Sequence, residues 1–203
     1  MLIDSHVHFP VLKEGKTFED SRIRLLQDMK KNAIDYAILI PDSGPSVIGD
    51  LDTALKVTEN DKQLFVLGAI NILLDKPSLL RKLGDLFSRE RIVGMKIYPG
   101  LEPFYPTDKR LTSVYELCVK HDLPVVMHTG ISLRKPQTAR YNDHKHIVKV
   151  ANNFPRLKIV IAHCFWPKLE YCYETTKSFG NVFFDTSALA DDEVVKHTGL
   201  ENI

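Results

Sequence analysis

Residues 2–9 read LIDSHVHF, a short apolar strand start that ends in two histidines, His6 and His8, set two positions apart. Side chains of an extended strand alternate between its faces, so Asp4, His6 and His8 share one face. Two imidazoles are thereby aimed at a single point. What else in the chain reaches that point decides the fold.

Further β-branched runs follow: DYAILIP from Asp35, LFVLGAIN from Leu64, IVGMKIYP from Ile92, LPVVMHTG from Leu123, LKIVIAHC from Leu157 and NVFFDTSA from Asn181. With MLID at residue 1 they make seven strand candidates. They are nearly continuous in Val, Ile, Leu and Ala, as strands buried on both faces of a parallel sheet are. Helical periodicity fills the gaps at 18–31, 48–60, 78–89, 110–120, 144–153 and 169–178, with Asp, Ser, Thr or Pro near several starts. The rhythm is a repeated β-α unit starting about every thirty residues, the pattern of a right-handed parallel array. No linker interrupts it, so residues 1–203 read as a single domain.

An open doubly wound sheet and a closed barrel both use this rhythm, and the histidines separate them. His128 ends the fifth strand and His163 the sixth. In a flat sheet in chain order, strand one lies about 19 Å from strand five at roughly 4.8 Å per strand. A barrel brings inward side chains from all strand ends to its carboxyl-terminal mouth, where such folds keep their chemistry. The open alternative also lacks a phosphate turn, since neither GxGxxG nor GxxxxGK[ST] occurs. The expected fold is α/β, a TIM-type (β/α) barrel, incomplete, of about seven parallel strands with outer helices.

Composition narrows the functions. The chain has 203 residues, 44% of them hydrophobic, and a formal net charge of +1 with Lys and Arg scattered among Asp and Glu. Nucleic acid is not an expected partner without a basic stripe, and there is no long apolar run to place in a membrane. The start is too polar for a signal peptide, and the expected location is cytoplasmic. Cys118, Cys164 and Cys172 fit neither a disulfide framework nor a zinc knuckle and read as core or helix-face residues. His144 and His146 repeat the HxH spacing, but at a helix start, where positions two apart diverge. His121 and His197 suit helix ends.

Four histidines at strand ends are a metal-ligand pattern, since a catalytic site needs about three protein ligands and an open position. The ordered set DSHVH, GMKIYP, VVMHTG, VIAHC and FFDTSA resembles the amidohydrolase superfamily, in the branch of TIM-barrel metal-dependent hydrolases called amidohydrolase 2, which includes some decarboxylases. The resemblance runs over almost the whole chain. It implies that His6, His8 and His128 are metal ligands and that His163 is a fourth ligand or a polarising catalytic group. The implied cofactor is a divalent ion, zinc first, with manganese or another divalent metal as the alternative. It also implies a pocket-lining role for Lys96, unmodified beside one metal rather than carbamylated between two. The competing account has that lysine packing its stem and reaching solvent.

Other candidates follow from position. Tyr98, in YPGLEPFYP with Phe104 and Tyr105, can wall a substrate pocket. The segment ISLRKPQTARYND after strand five is the expected substrate loop, in which Arg134 or Arg140 could clamp a carboxylate. Asp4 can orient His6. In the family the eighth strand carries a metal-binding aspartate in a GSD- or GTD-like motif, and none follows Phe184 here. Asp185 is the late acidic candidate, either at the metal or as a brace. A full barrel has eight units and about 250 residues, so the chain reads as C-terminally truncated relative to the family. Its unpaired edges leave a fragment, a seven-stranded closure or a homo-oligomer as outcomes. The expected function is metal-dependent hydrolysis of a C–N or C–O bond in a small-molecule substrate. The alternatives are decarboxylation, a PHP-type phosphoesterase, and a degenerate barrel without turnover.

Overall fold

The computed structural model describes residues 1–73, 77–88, 92–130 and 136–189. Seven parallel strands alternate with helices, the incomplete form of the TIM-type (β/α) barrel. The chain divides into two compact units, Met1–Ile97 and Tyr98–Ile203.

The first unit holds β1 (Ile3–Val7), α1 (Phe18–Lys31), β2 (Tyr36–Leu39), α2 (Leu51–Val57), β3 (Leu64–Ala69), α3 (Pro77–Phe87) and β4 (Ile92–Ile97). Its four strands pair in chain order, all parallel. The continuous apolar runs are what bury β3 and β4: Leu64, Val66, Leu67, Met95 and Ile97 are closed to solvent. β1 is more open, with Ile3 48% exposed. Helix α1 starts where Thr17 accepts from the Asp20 N–H at 3.2 Å and Asp20 accepts from the Thr17 N–H at 2.8 Å, a reciprocal capping box. Helix α2 is shorter than its periodicity, because Asp50 caps the Thr53 N–H at 2.9 Å and the Thr58 hydroxyl turns back onto the Ala54 carbonyl at 2.8 Å.

The second unit holds α4 (Thr112–Lys120), β5 (Val125–Met127), α5 (His144–Asn153), β6 (Ile159–Ile161), α6 (Leu169–Thr176) and β7 (Val182–Phe184). Met127, Ile161 and Phe184 are in register, so the carboxyl ends of β5, β6 and β7 are level. The Asn181 amide donates to the carbonyls of Phe154 at 3.2 Å and Leu157 at 3.0 Å, tying the turn before β6 to β7. Cys118 and Cys172 are buried, and burial pushes both thiols up to about 12, so they behave as the small hydrophobes expected. His197 lies outside the described residues. Among the described residues no helix is long and apolar enough to cross a membrane.

His144 opens α5 as a buried side chain, its ring 4.4 Å from Tyr171 and 5.4 Å from Phe165. Burial pushes the imidazole below its ordinary value of about 6.5; Lys168 and Lys145 act the same way, and Asp143 opposes them. The folded state therefore favours the neutral ring. Stability is present above the unfolded pKa and is lost as pH falls through the folded one. Thermal melts are expected to drop between pH 7.5 and 5.5, and His144→Phe, which keeps the ring packing, is expected to shrink that drop.

Candidate metal centre and active site

β1 delivers His6 from its own length and His8 from the residue after Val7, and the two rings lie 5.4 Å apart, edge to face. The register pairs Val7 with Leu39, which sets His8 beside the carbonyl that follows β2. That carbonyl, of Ile40, accepts from His8 Nδ1 at 2.8 Å. A carbonyl has no proton to give, so Nδ1 carries a hydrogen, and in the neutral ring the lone pair is on Nε2. Metal-binding histidines are oriented in this way. Asp4 accepts the His6 backbone N–H at 3.1 Å and so shapes the strand that carries the pair.

Lys96, at the end of β4, is 1% exposed. Its ammonium does not reach solvent, which removes the stem-and-solvent account.

In the second unit the level strand ends give His128 after β5 and His163 two residues past β6. Their rings are 5.1 Å apart, and the nearly buried Tyr98 ring lies 6.5 Å from His128. The Thr129 hydroxyl donates to the Ala162 carbonyl, locking the two strand ends together. Asp185, directly after β7, accepts the His163 backbone N–H at 3.0 Å. Ser187, which the sequence reading passed over, lies against the imidazole: its hydroxyl is 2.9 Å and its carbonyl 3.1 Å from His163 Nδ1. The only sequence signal for it was its place two residues after a strand-end aspartate.

Arg134 lies outside the described residues. Arg140 is exposed, donates to the Tyr141 hydroxyl at 3.0 Å, and lines a cavity of about 190 Å³ with Gly130, Asn142, Phe165, Trp166 and Lys168. Gly130 shapes that wall. Its φ is +87°, and a Cβ there would stand 2.5 Å from the Trp166 carbonyl oxygen.

Among the described residues no three His, Cys, Asp or Glu side chains form a group able to hold an ion. The histidines occur as two pairs, one in each unit. Their chemistry fits a divalent metal all the same, because two of the four, His8 and His163, meet backbone carbonyls through Nδ1.

The amidohydrolase family profile matches residues 3–201, and the chain belongs to that family. Among solved structures it is similar to an uncharacterized TIM-barrel protein from Bordetella bronchiseptica, at 18% identity and a TM-score of 0.68, over 91% of this chain and 74% of that one. It is also similar to a protein described as a probable 2-pyrone-4,6-dicarboxylic acid hydrolase from Acinetobacter baumannii, with citric acid bound. There the identity is 14% and the TM-score 0.64, over 98% and 76% of the two chains. A third is a 5-carboxyvanillate decarboxylase from Novosphingobium aromaticivorans complexed with manganese, at 16% identity and a TM-score of 0.57, over 92% and 71%. At these identities the likeness shows the fold. No curated protein matches the chain.

Gly130→Ala is expected to destabilise the protein by about 1–3 kcal/mol, since it adds a left-handed alanine and a backbone clash. Chemical denaturation reads this directly.

Proposed function

We propose that the chain is a metal-dependent hydrolase of the amidohydrolase type, cleaving a C–N or C–O bond of a small-molecule substrate. Its ligands are His6, His8, His128 and His163 on one divalent ion, with zinc first and manganese as the alternative. The observation that carries the reading is the Nδ1 hydrogen bond of His8 to the Ile40 carbonyl, which leaves Nε2 as the ligating nitrogen of the neutral ring. Family membership and the strand-end position of all four histidines support it. When bound, such an ion polarises a carbonyl or ester oxygen and makes water a nucleophile near neutral pH.

The remaining residues divide the work. Lys96, a cation withdrawn from solvent, neutralises negative charge that develops on the substrate oxygen. Tyr98 walls the pocket beside His128, and Arg134 or Arg140, on the segment after β5, holds a substrate carboxylate. The buried lysine also suits a substrate carboxylate, which makes decarboxylation the second reading. Assays for carbon dioxide release and for ring or amide opening separate the two.

Elemental analysis of the purified chain is expected to give roughly one divalent ion per protein. His8→Ala is expected to lower its affinity by about tenfold or more. A chain that retains no zinc or manganese after dialysis against either would end the proposal.

Lys96→Met separates function from fold. A thermal melt of the variant beside wild type reads whether the fold is kept. Turnover on any substrate found is expected to fall by about 100-fold or more. Equal activity in wild type and variant would exclude Lys96 from the site.

A further inference from the structure

His163, Cys164 and Phe165 run consecutively through left-handed backbone, with φ of 60°, 46° and 60°. None is glycine. Each such residue costs of order 1–3 kcal/mol and persists only where its surroundings over-determine it. One residue supplies most of that determination. The Asp185 carboxylate oxygen Oδ1 accepts the His163 N–H at 3.0 Å, while the Asp185 carbonyl accepts the Cys164 N–H at 3.0 Å and its thiol at 3.1 Å.

The same Oδ1 accepts the Ser187 N–H at 3.1 Å and the Ser187 hydroxyl. With that hydroxyl proton directed to the carboxylate, Ser187 Oγ meets His163 Nδ1 as an acceptor, and the Ser187 carbonyl beside it can only accept. Both contacts demand a proton on Nδ1, which leaves the lone pair on Nε2. An oxygen that takes three hydrogen bonds, one from His163 and two from Ser187, is suited to holding geometry rather than to exchanging protons.

We infer that Asp185 and Ser187 are positioning residues. The carboxylate holds the strained turn and orients Ser187, and Ser187 fixes His163 as a neutral Nε2 donor toward a divalent ion. The inference deepens the metal reading above and rests on it for the identity of what His163 binds. The tautomer itself does not depend on that reading.

The test uses the full chain, free of metal, at pH 8. Long-range ¹⁵N–¹H correlation spectra of the imidazoles, with His163 assigned through His163→Asn, report which ring nitrogen carries the proton. Wild type is expected to show the Nδ1–H form alone. Asp185→Ala is expected to mix the two forms and to lower zinc affinity, by chelator competition, at least tenfold. Asp185→Asn keeps an accepting oxygen and is expected to restore the single form, and Ser187→Ala is expected to fall between. An Nε2–H spectrum in wild type, or no change of tautomer in Asp185→Ala, would overturn the inference. Should Asp185→Ala not fold, the wild-type spectrum and Ser187→Ala decide it. A wild type that shows Nδ1–H but binds no zinc would sink the metal reading and leave the clamp standing.

Discussion

The level ends of parallel strands are the constraint on which the chemistry depends. In a parallel ladder the carboxyl ends of neighbouring strands face the same way, and the residue just beyond one strand lies beside the carbonyl just beyond the next. Val7 pairs with Leu39, so His8 meets the Ile40 carbonyl. Ile161 pairs with Phe184, so the turn that carries His163 meets Asp185 and Ser187. In both units an imidazole is fixed by a neighbouring strand's end. A neutral ring held by one nitrogen presents the other with its lone pair, and the register sets where the holding group stands.

The two histidines differ in what holding them costs. His8 follows ordinary strand geometry and needs one carbonyl. His163 sits at the head of a left-handed turn of three non-glycine residues, a conformation that Asp185 stabilises through its side chain and its backbone at once. Strain on this scale, set beside a strand-end imidazole, is the kind that persists at sites of function because the ring has to face one way.

Most of the architecture was legible, for identifiable reasons. Seven apolar β-branched runs became seven parallel strands, and α1 covers Phe18–Lys31 as its periodicity gives. The ends of α2 were not, because Asp50 begins it and the Thr58 hydroxyl closes it by local hydrogen bonds that periodicity does not register. The four strand-end histidines could be read from the chain, and so could the doubt over Asp185. Three features could not: the carbonyl under His8 belongs to an isoleucine, whose side chain carries no sign of it; Ser187 matters through its reach to a ring 24 residues away; and parity placed Lys96 on a face without saying that its head would be withdrawn from solvent.

Placing Asp185 as a brace changes what the rest of the chain must supply. Hydrolysis needs a group to take a proton from water and return it to the leaving atom. If the strand-seven carboxylate is committed to the turn, that work falls to a group whose hydrogen bonds are not already directed inward. His163 is an unsuitable shuttle in the proposed reading, since its Nε2 lone pair is spent on the ion while Nδ1 stays on Ser187. In the proposed reading Lys96, buried at the end of β4, serves to stabilise an oxyanion rather than to act as a base.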